Sequence, residues 1–303
     1  MEKNLSYIKI NYEMNKIYSS SFFEVVKTRY YGFFGGGNTG STSNIIDYIN
    51  ITTTTGNASD KGDLTIARDR LAGVSGLSYG FFGGGQLSSN TITNVIDYID
   101  VTTTTGNASD KGDLSTNRKE MAGVSGATYG FFGGGSNIIE YINITTTTGN
   151  ATNKGDLTVN RKQLAGVNGS TYGFFGGGEA NSNSNVIDYI DITTTTTGNA
   201  SDKGDLTVAR RYLAGVSGIT YGFFGSGYAT SYSNVIDYIN VTTTTGNATD
   251  KGDLATARFS LAGVSGLTYG FFGGGHTGSS SNVIEYINVT TTTGNSSNRQ
   301  RYK

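Results

Sequence analysis

The chain has 303 residues, with 22 Lys and Arg against 23 Asp and Glu, for a net charge of −1. It contains 46 Gly but no Pro, Cys or Trp. The balanced charge points away from a nucleic-acid backbone or an anionic membrane as partner, and the lack of Cys excludes disulfides and thiolate chemistry.

A chain of this length can bury roughly three quarters of its unfolded surface, so a folded protein is expected. No apolar run approaches the roughly 18 residues of a membrane helix. The opening "MEKNLSYIKINYEMNKIY" lacks the apolar core of a secretory signal. A cytoplasmic or virion-associated location is the resulting expectation.

The first 30 residues are irregular, and from there the chain is one unit written six times. "YGFFG" recurs at Tyr31, Tyr79, Tyr129, Tyr172, Tyr221 and Tyr269, in steps of 48, 50, 43, 49 and 48 residues. Within a unit, "LAGVSG" is built from small and apolar residues. "TYGFFG" is aromatic and apolar on both faces, as a strand buried on both sides requires. "NVIDYINVTTTT" is β-branched and aromatic, with Ile96 and Tyr98 on one face and Val95, Ile99 and Val101 on the other. "GDLTVAR" reads as a shorter fourth strand, and the Ser-Gly, glycine-run and "TGNASDKGD" stretches between them read as turns. No stretch has helical periodicity.

Four strands in each repeat of 40 to 50 residues predict an all-β fold, a single six-bladed β-propeller of four antiparallel strands per blade over residues 1–303. "LAGVSG", with the smallest side chains, belongs at the crowded axis. Tyr79, Phe81 and Phe82 then fill the wider space between blades. The last unit stops before its own "GDLTVAR". Residues 1–30 are therefore expected to close the ring, with Leu5–Ile10 or Lys16–Ser21 pairing as a strand with the last blade, and "FFEVV" (Phe22 to Val26) standing where "LAGVS" should be.

The order of an Arg, a small-residue strand, an aromatic strand ending in Gly-Gly, "VIDYINVTTTTG" and a return strand resembles the kelch repeat, over about 270 residues. The usual kelch Trp is missing. Near-identical blades are also similar to repeat proteins of phages and large DNA viruses. The kelch resemblance implies a propeller face that grips a protein partner. Galactose oxidase carries a kelch-type domain, but its copper site needs a Cys cross-linked to Tyr and two His, and His276 is the only His here. That activity does not carry over.

Other chemistry reads as structural. Only the glycine runs at Gly35 and Gly273 complete G-x-G-x-x-G, and "STSNIIDYINI" after the first is a strand pattern, so a permissive turn is expected rather than a phosphate loop. Asp60 and Asp63 with their repeats could supply oxygen ligands to Ca²⁺, but they lack alternating D-x-D-x-D spacing and read as turn caps. The once-per-blade acids Asp47, Asp97, Glu140, Asp188, Asp237 and Glu285 sit in near-equivalent settings, unlike a catalytic pair. Arg68, Arg118, Arg161, Arg210 and Arg258 are expected to join blades by hydrogen bonds or ion pairs. No catalytic residue, metal or cofactor follows from the sequence.

The units differ in two places. The loop after the glycine run has 6, 8, 1, 6, 6 and 6 residues. The pair after each Arg reads Asp69-Arg70, Lys119-Glu120, Lys162-Gln163, Arg211-Tyr212 and Phe259-Ser260. With strands a to d running outward from the axis, these are the b–c and d–a connections, which emerge on one face. Function in repeat proteins concentrates where loops differ. In blades five and six that face gathers Arg211, Tyr212, Tyr228, Tyr232, Phe259 and His276, the expected partner-binding residues. The resulting expectation is a non-catalytic binding or structural module for a protein partner, as in a virion or phage tail. A glycan-binding adhesin or lectin is the alternative, and an enzyme the third reading.

Overall fold

The computed structural model describes residues 30–299. It is all-β, and its sheets follow the sequence units in order. Blade 1 comprises β1 (Tyr31–Gly35), β2 (Ile45–Asn50) and β3 (Ser59–Asp63). Blade 2 comprises β4 (Ala72–Ser75), β5 (Tyr79–Gly83), β6 (Val95–Asp100) and β7 (Ser109–Asp113). Blade 3 runs through β8 (Met121–Ser125), β9 (Tyr129–Gly134), β10 (Ser136–Asn143) and β11 (Thr152–Arg161). Blade 4 has β12 (Ala165–Asn168), β13 (Tyr172–Gly176), β14 (Val186–Asp191) and β15 (Ser201–Asp205). Blade 5 has β16 (Ala214–Ser217), β17 (Tyr221–Gly225), β18 (Val235–Asn240) and β19 (Thr249–Asp253). Blade 6 has β20 (Phe259–Ser265), β21 (Tyr269–His276), β22 (Ile284–Asn288) and β23 (Ser297–Asn298). Within each blade, each strand pairs antiparallel with the next.

The small-residue strand is innermost, as its composition requires. β4, β8, β12, β16 and β20 touch their counterparts in the adjacent blades. A methyl group on Gly123 of β8 would fall onto the Gly73 carbonyl oxygen of β4, so only glycine lets the backbones approach this closely. The aromatic strand faces both ways. Phe81 packs with Ile96 and with Phe132 and Ile144 of blade 3. Phe82 packs with Ile99 and with Ile46 and Leu64 of blade 1. Each hydrophobic cluster therefore spans two blades, which no single sheet could achieve alone.

The ring closes. Phe271 of blade 6 buries against Ile49 and Ile51 of blade 1. A Cβ on Gly32 of β1 would lie 2.7 Å from Val264 of β20. The closing segment expected within Leu5–Ser21, and the inner strand expected at Phe22 to Val26, lie outside the described residues.

Three expectations are corrected. The outer strand is "SDKGD", not "GDLTVAR", and only in blade 3 does it continue to Arg161. The Thr run is not the end of a strand. Asp100 accepts hydrogen bonds from Thr102 N and Oγ1 at 2.7 and 2.6 Å, which turns the chain at the end of β6. Finally, the last unit does begin an outer strand of its own. Ser297 and Asn298 pair with Tyr286 and Glu285, because "NSSNR" still supplies the turn and its asparagine, Asn295.

The repeated polar residues join neighbouring blades. Arg161 is fully buried and ion-paired to Asp188 of the next blade at 2.6 Å, and Arg210 to Asp237 at 2.7 Å. Arg68–Asp97, Arg118–Glu140 and Arg258–Glu285 repeat the arrangement. Burial pushes each of these arginines below its ordinary pKa, and the facing carboxylate pulls it back up. Asp60 Oδ1 accepts from Gly62 N at 2.8 Å, the turn cap expected of "SDKGD".

Candidate functional site

The d–a and b–c connections meet on one face. Asp69 pairs with Gln86, Lys162 with Glu179 and Arg211 with Tyr228 in short antiparallel bridges, and Phe259 pairs with His276. Each of these pairs joins the residue after a repeated arginine to the residue that follows the glycine run. The glycine run makes the meeting possible. Gly36 has φ +70°, and a Cβ there would lie 2.5 Å from the Arg68 carbonyl oxygen. Its role is backbone shape, and no helix follows it.

Inside these pairs runs a rim around the axis. Arg70, Glu120, Gln163, Tyr212 and Ser260 all have left-handed backbone, with φ between 56° and 61°. Glu120 N donates to Arg70 O at 2.8 Å, Gln163 N to Glu120 O at 2.7 Å, Tyr212 N to Gln163 O at 2.8 Å and Ser260 N to Tyr212 O at 2.9 Å. One backbone hydrogen bond thus links each rim residue to the next blade.

All six residues expected from the sequence gather on this face. The rings of Tyr212 and Phe259 lie 5.6 Å apart, Tyr228 and Phe259 6.1 Å, Tyr232 and Phe259 5.2 Å, and Phe259 and His276 5.3 Å. Phe259 is the hub, touching the other four rings. The Arg211 guanidinium lies over Tyr228 at 5.1 Å and Tyr212 at 5.9 Å, and its Nη1 pairs with Glu179 of blade 4. Tyr232 is the most exposed ring of the cluster.

The other half of the rim is charged. Arg70 Nη1 lies 3.4 Å from Glu120 Oε1 and donates to Gln86 Oε1 at 3.0 Å. Tyr212 Oη reaches Glu120 Oε1 at 3.4 Å, past the intervening blade. Burial, then the Glu120 carboxylate, raises the Tyr212 hydroxyl above its ordinary pKa, while Arg70 and Arg211 oppose the shift. The phenol therefore stays protonated at neutral pH and acts as a hydrogen-bond donor.

Sequence reasoning missed Glu120, Gln163 and Glu179 as neighbours of the cluster. The signal was present, because they occupy the same variable positions in blades 3 and 4.

Among solved structures, the chain is similar to that of YjhT, with a TM-score of 0.71 and 10% identity over 90% of this chain and 95% of that one. That likeness shows the β-propeller fold. No protein-family model and no curated protein matches the chain. Among the described residues, no helix is long and apolar enough to cross a membrane.

Proposed function

We propose that the protein is a kelch-like, non-catalytic propeller that grips a protein partner through the rim and b–c loops of blades 5 and 6, as a component of a virion or phage tail would. The observation that carries this reading is the aromatic cluster around Phe259, assembled from two blades where the corresponding positions of the others are mainly polar or charged, as at Asp69, Arg70, Gln86, Glu120 and Glu179. Tyr and Arg are frequent anchors of binding surfaces.

The strained rim supports it. A non-glycine residue in the left-handed region costs about 1–3 kcal/mol, and such strain concentrates at functional sites. In a chain with 46 glycines, none of these five rim positions is glycine. Side chains are held there despite their conformational cost.

The test is binding by wild type and by a variant with Tyr212→Ser, Tyr228→Ser and Tyr232→Ser. Both are screened against a glycan array and in pull-downs from candidate host and virion extracts. Loss of a captured protein with an almost unchanged Tm supports the reading. Loss of glycan binding alone would favour a lectin, and binding that survives the three substitutions would place the site elsewhere.

A further inference from the structure

Among the described residues, the sheet of blade 1 has three strands where every other blade has four, and β1 is its inner edge. β1 pairs with β2 along its outer side, from Tyr31↔Asn50 to Gly35↔Ile46. In the other blades the inner side of the aromatic strand carries the small-residue strand, as Ala214 to Ser217 pair with Gly225 to Gly222. The edge of a sheet is a template for a further strand. The neighbours on both sides are open towards that place. Ala262 of β20 is exposed and Val264 half-buried, whereas Ala214 and Val216, which hold the same positions in blade 5, are buried. Gly73 of β4 is exposed as well.

The five inner strands define what such a place admits. Six residues ahead of the first Tyr of each of these blades stands a glycine, and a Cβ on Gly123, Gly166, Gly215 or Gly263 would fall onto the carbonyl oxygen of the matching glycine in the preceding blade. Three residues ahead stands another. A Cβ on Gly76, Gly126, Gly169, Gly218 or Gly266 would lie between 2.5 and 2.9 Å from a carbonyl oxygen of the following blade. Both obstacles are backbone, which cannot swing aside. Seven residues ahead is always alanine, and eleven ahead is the arginine that pairs with the repeated carboxylate.

Ahead of Tyr31 the same positions hold Ser20, Glu24, Val25 and Thr28. In that register β-branched side chains would stand where two glycines are required, and a carboxylate would stand in the apolar seam. Asp47, the counterpart of Asp97, also meets no arginine among the described residues.

We infer that the inner place of blade 1 takes a strand from a partner chain, an extended segment of the pattern Arg-x-x-Leu-Ala-Gly-Val-Ser-Gly. Backbone pairing along Gly32 to Gly35 supplies affinity. The two glycines and an arginine directed at Asp47 supply selectivity, as alternate side chains do in strand addition. The five inner strands of this chain are engaged in their own blades, so a second copy has none to lend. The inference does not depend on the binding role of the rim.

Fluorescence anisotropy of a labelled peptide with the sequence of Arg210–Thr220, titrated with the full chain, tests this. Saturable binding is expected. The same peptide carrying Gly215→Val should bind roughly tenfold more weakly or worse, because its branch meets the Gly263 carbonyl. Asp47→Asn in the protein should weaken binding of the unaltered peptide by roughly tenfold, since it removes the charge facing the peptide's arginine. The variant Ser20→Arg, Glu24→Ala, Val25→Gly, Thr28→Gly gives the chain's own segment the repeat pattern, so it should raise Tm and abolish peptide binding. The rim variant Tyr212→Ser, Tyr228→Ser, Tyr232→Ser should bind the peptide as wild type does. No binding by wild type, equal binding of the two peptides, or peptide binding left unchanged by Asp47→Asn or by the four repeat-pattern substitutions would each overturn the inference.

Discussion

Arg299 donates from Nη1 to the Thr53 carbonyl oxygen at 2.7 Å, joining the last described residue to the first blade. Its Nε also reaches Gly56 O at 2.8 Å, and its guanidinium lies 5.0 Å from the centre of the Phe271 ring. The contact completes a series. Lys61 Nζ donates to Thr103 O and Thr105 O of blade 2 at 3.0 and 3.2 Å, over Phe33, and Lys111, Lys154, Lys203 and Lys251 do the same onward. The Thr turn is the socket for a cation from the preceding blade. Arg299→Ala should therefore loosen the seam between blades 6 and 1. Hydrogen bonds from a charged group contribute about 1.5–3 kcal/mol, so a clear fall in Tm is expected in a thermal melt, and Arg299→Lys should retain most of the stability.

The six repeated carboxylates should respond to neutralisation with opposite signs. Asp237→Asn leaves the buried Arg210 without its counter-charge, a change that costs about 3–5 kcal/mol. Asp47 has no arginine beside it among the described residues, and burial, then Asp60, raises its pKa. The folded chain then holds the Asp47 proton more tightly than the unfolded chain. Its contribution to stability is full below the ordinary pKa of 3.8 and is lost as pH rises through the folded value. Asp47→Asn should consequently stabilise the protein at neutral pH, and the gain should vanish in acid. Urea titrations of both variants at two pH values provide the comparison.

Gly123→Ala should be among the most damaging single-methyl additions. The added carbon falls on a backbone carbonyl in the ring of inner strands, where no side chain can give way. Overpacking typically costs about 1–3 kcal/mol, and the rigid obstacle places this variant at the upper end or beyond. A chemical denaturation midpoint equal to wild type would mean that the inner strands can spread.

Ser260→Gly should raise stability. Ser260 has φ +57° and an exposed side chain, so glycine relieves left-handed strain without removing packing. The strain is about 1–2 kcal/mol, partly offset by glycine's greater entropy when unfolded, so a gain near 0.5–1 kcal/mol is expected. Differential scanning calorimetry would register it.

The blades, their number and the order of their strands were legible because periodicity acts on every copy alike. Phe81 and Phe82 disclosed a strand buried on both faces, and the alanine and glycine of "LAGVSG" disclosed the axis. The outer strand was misplaced because "DKGD" has the composition of a turn. Lys61 is buried there only because the Thr103 and Thr105 carbonyls of another blade receive its ammonium, a partner about forty residues away that no local pattern reveals. For the candidate site, topology was enough to bring Tyr212, Tyr228, Tyr232, Phe259 and His276 to one face. The rim's left-handed backbone was not foreseeable, since Arg70, Glu120 and Tyr212 carry no preference for it.

The rim hydrogen bonds run from backbone to backbone, so the link between blades does not depend on which side chains the rim displays, although its left-handed backbone disfavours every side chain there. Chemistry at one rim position can therefore be exchanged without re-engineering the blade beneath it. Transplanting the Arg211-Tyr212 pair to Lys119-Glu120 and the Phe259-Ser260 pair to Lys162-Gln163, with the matching b–c loops, would turn the aromatic cluster around the axis by two blades. Such a protein is a dial, with a fixed frame and a movable pointer.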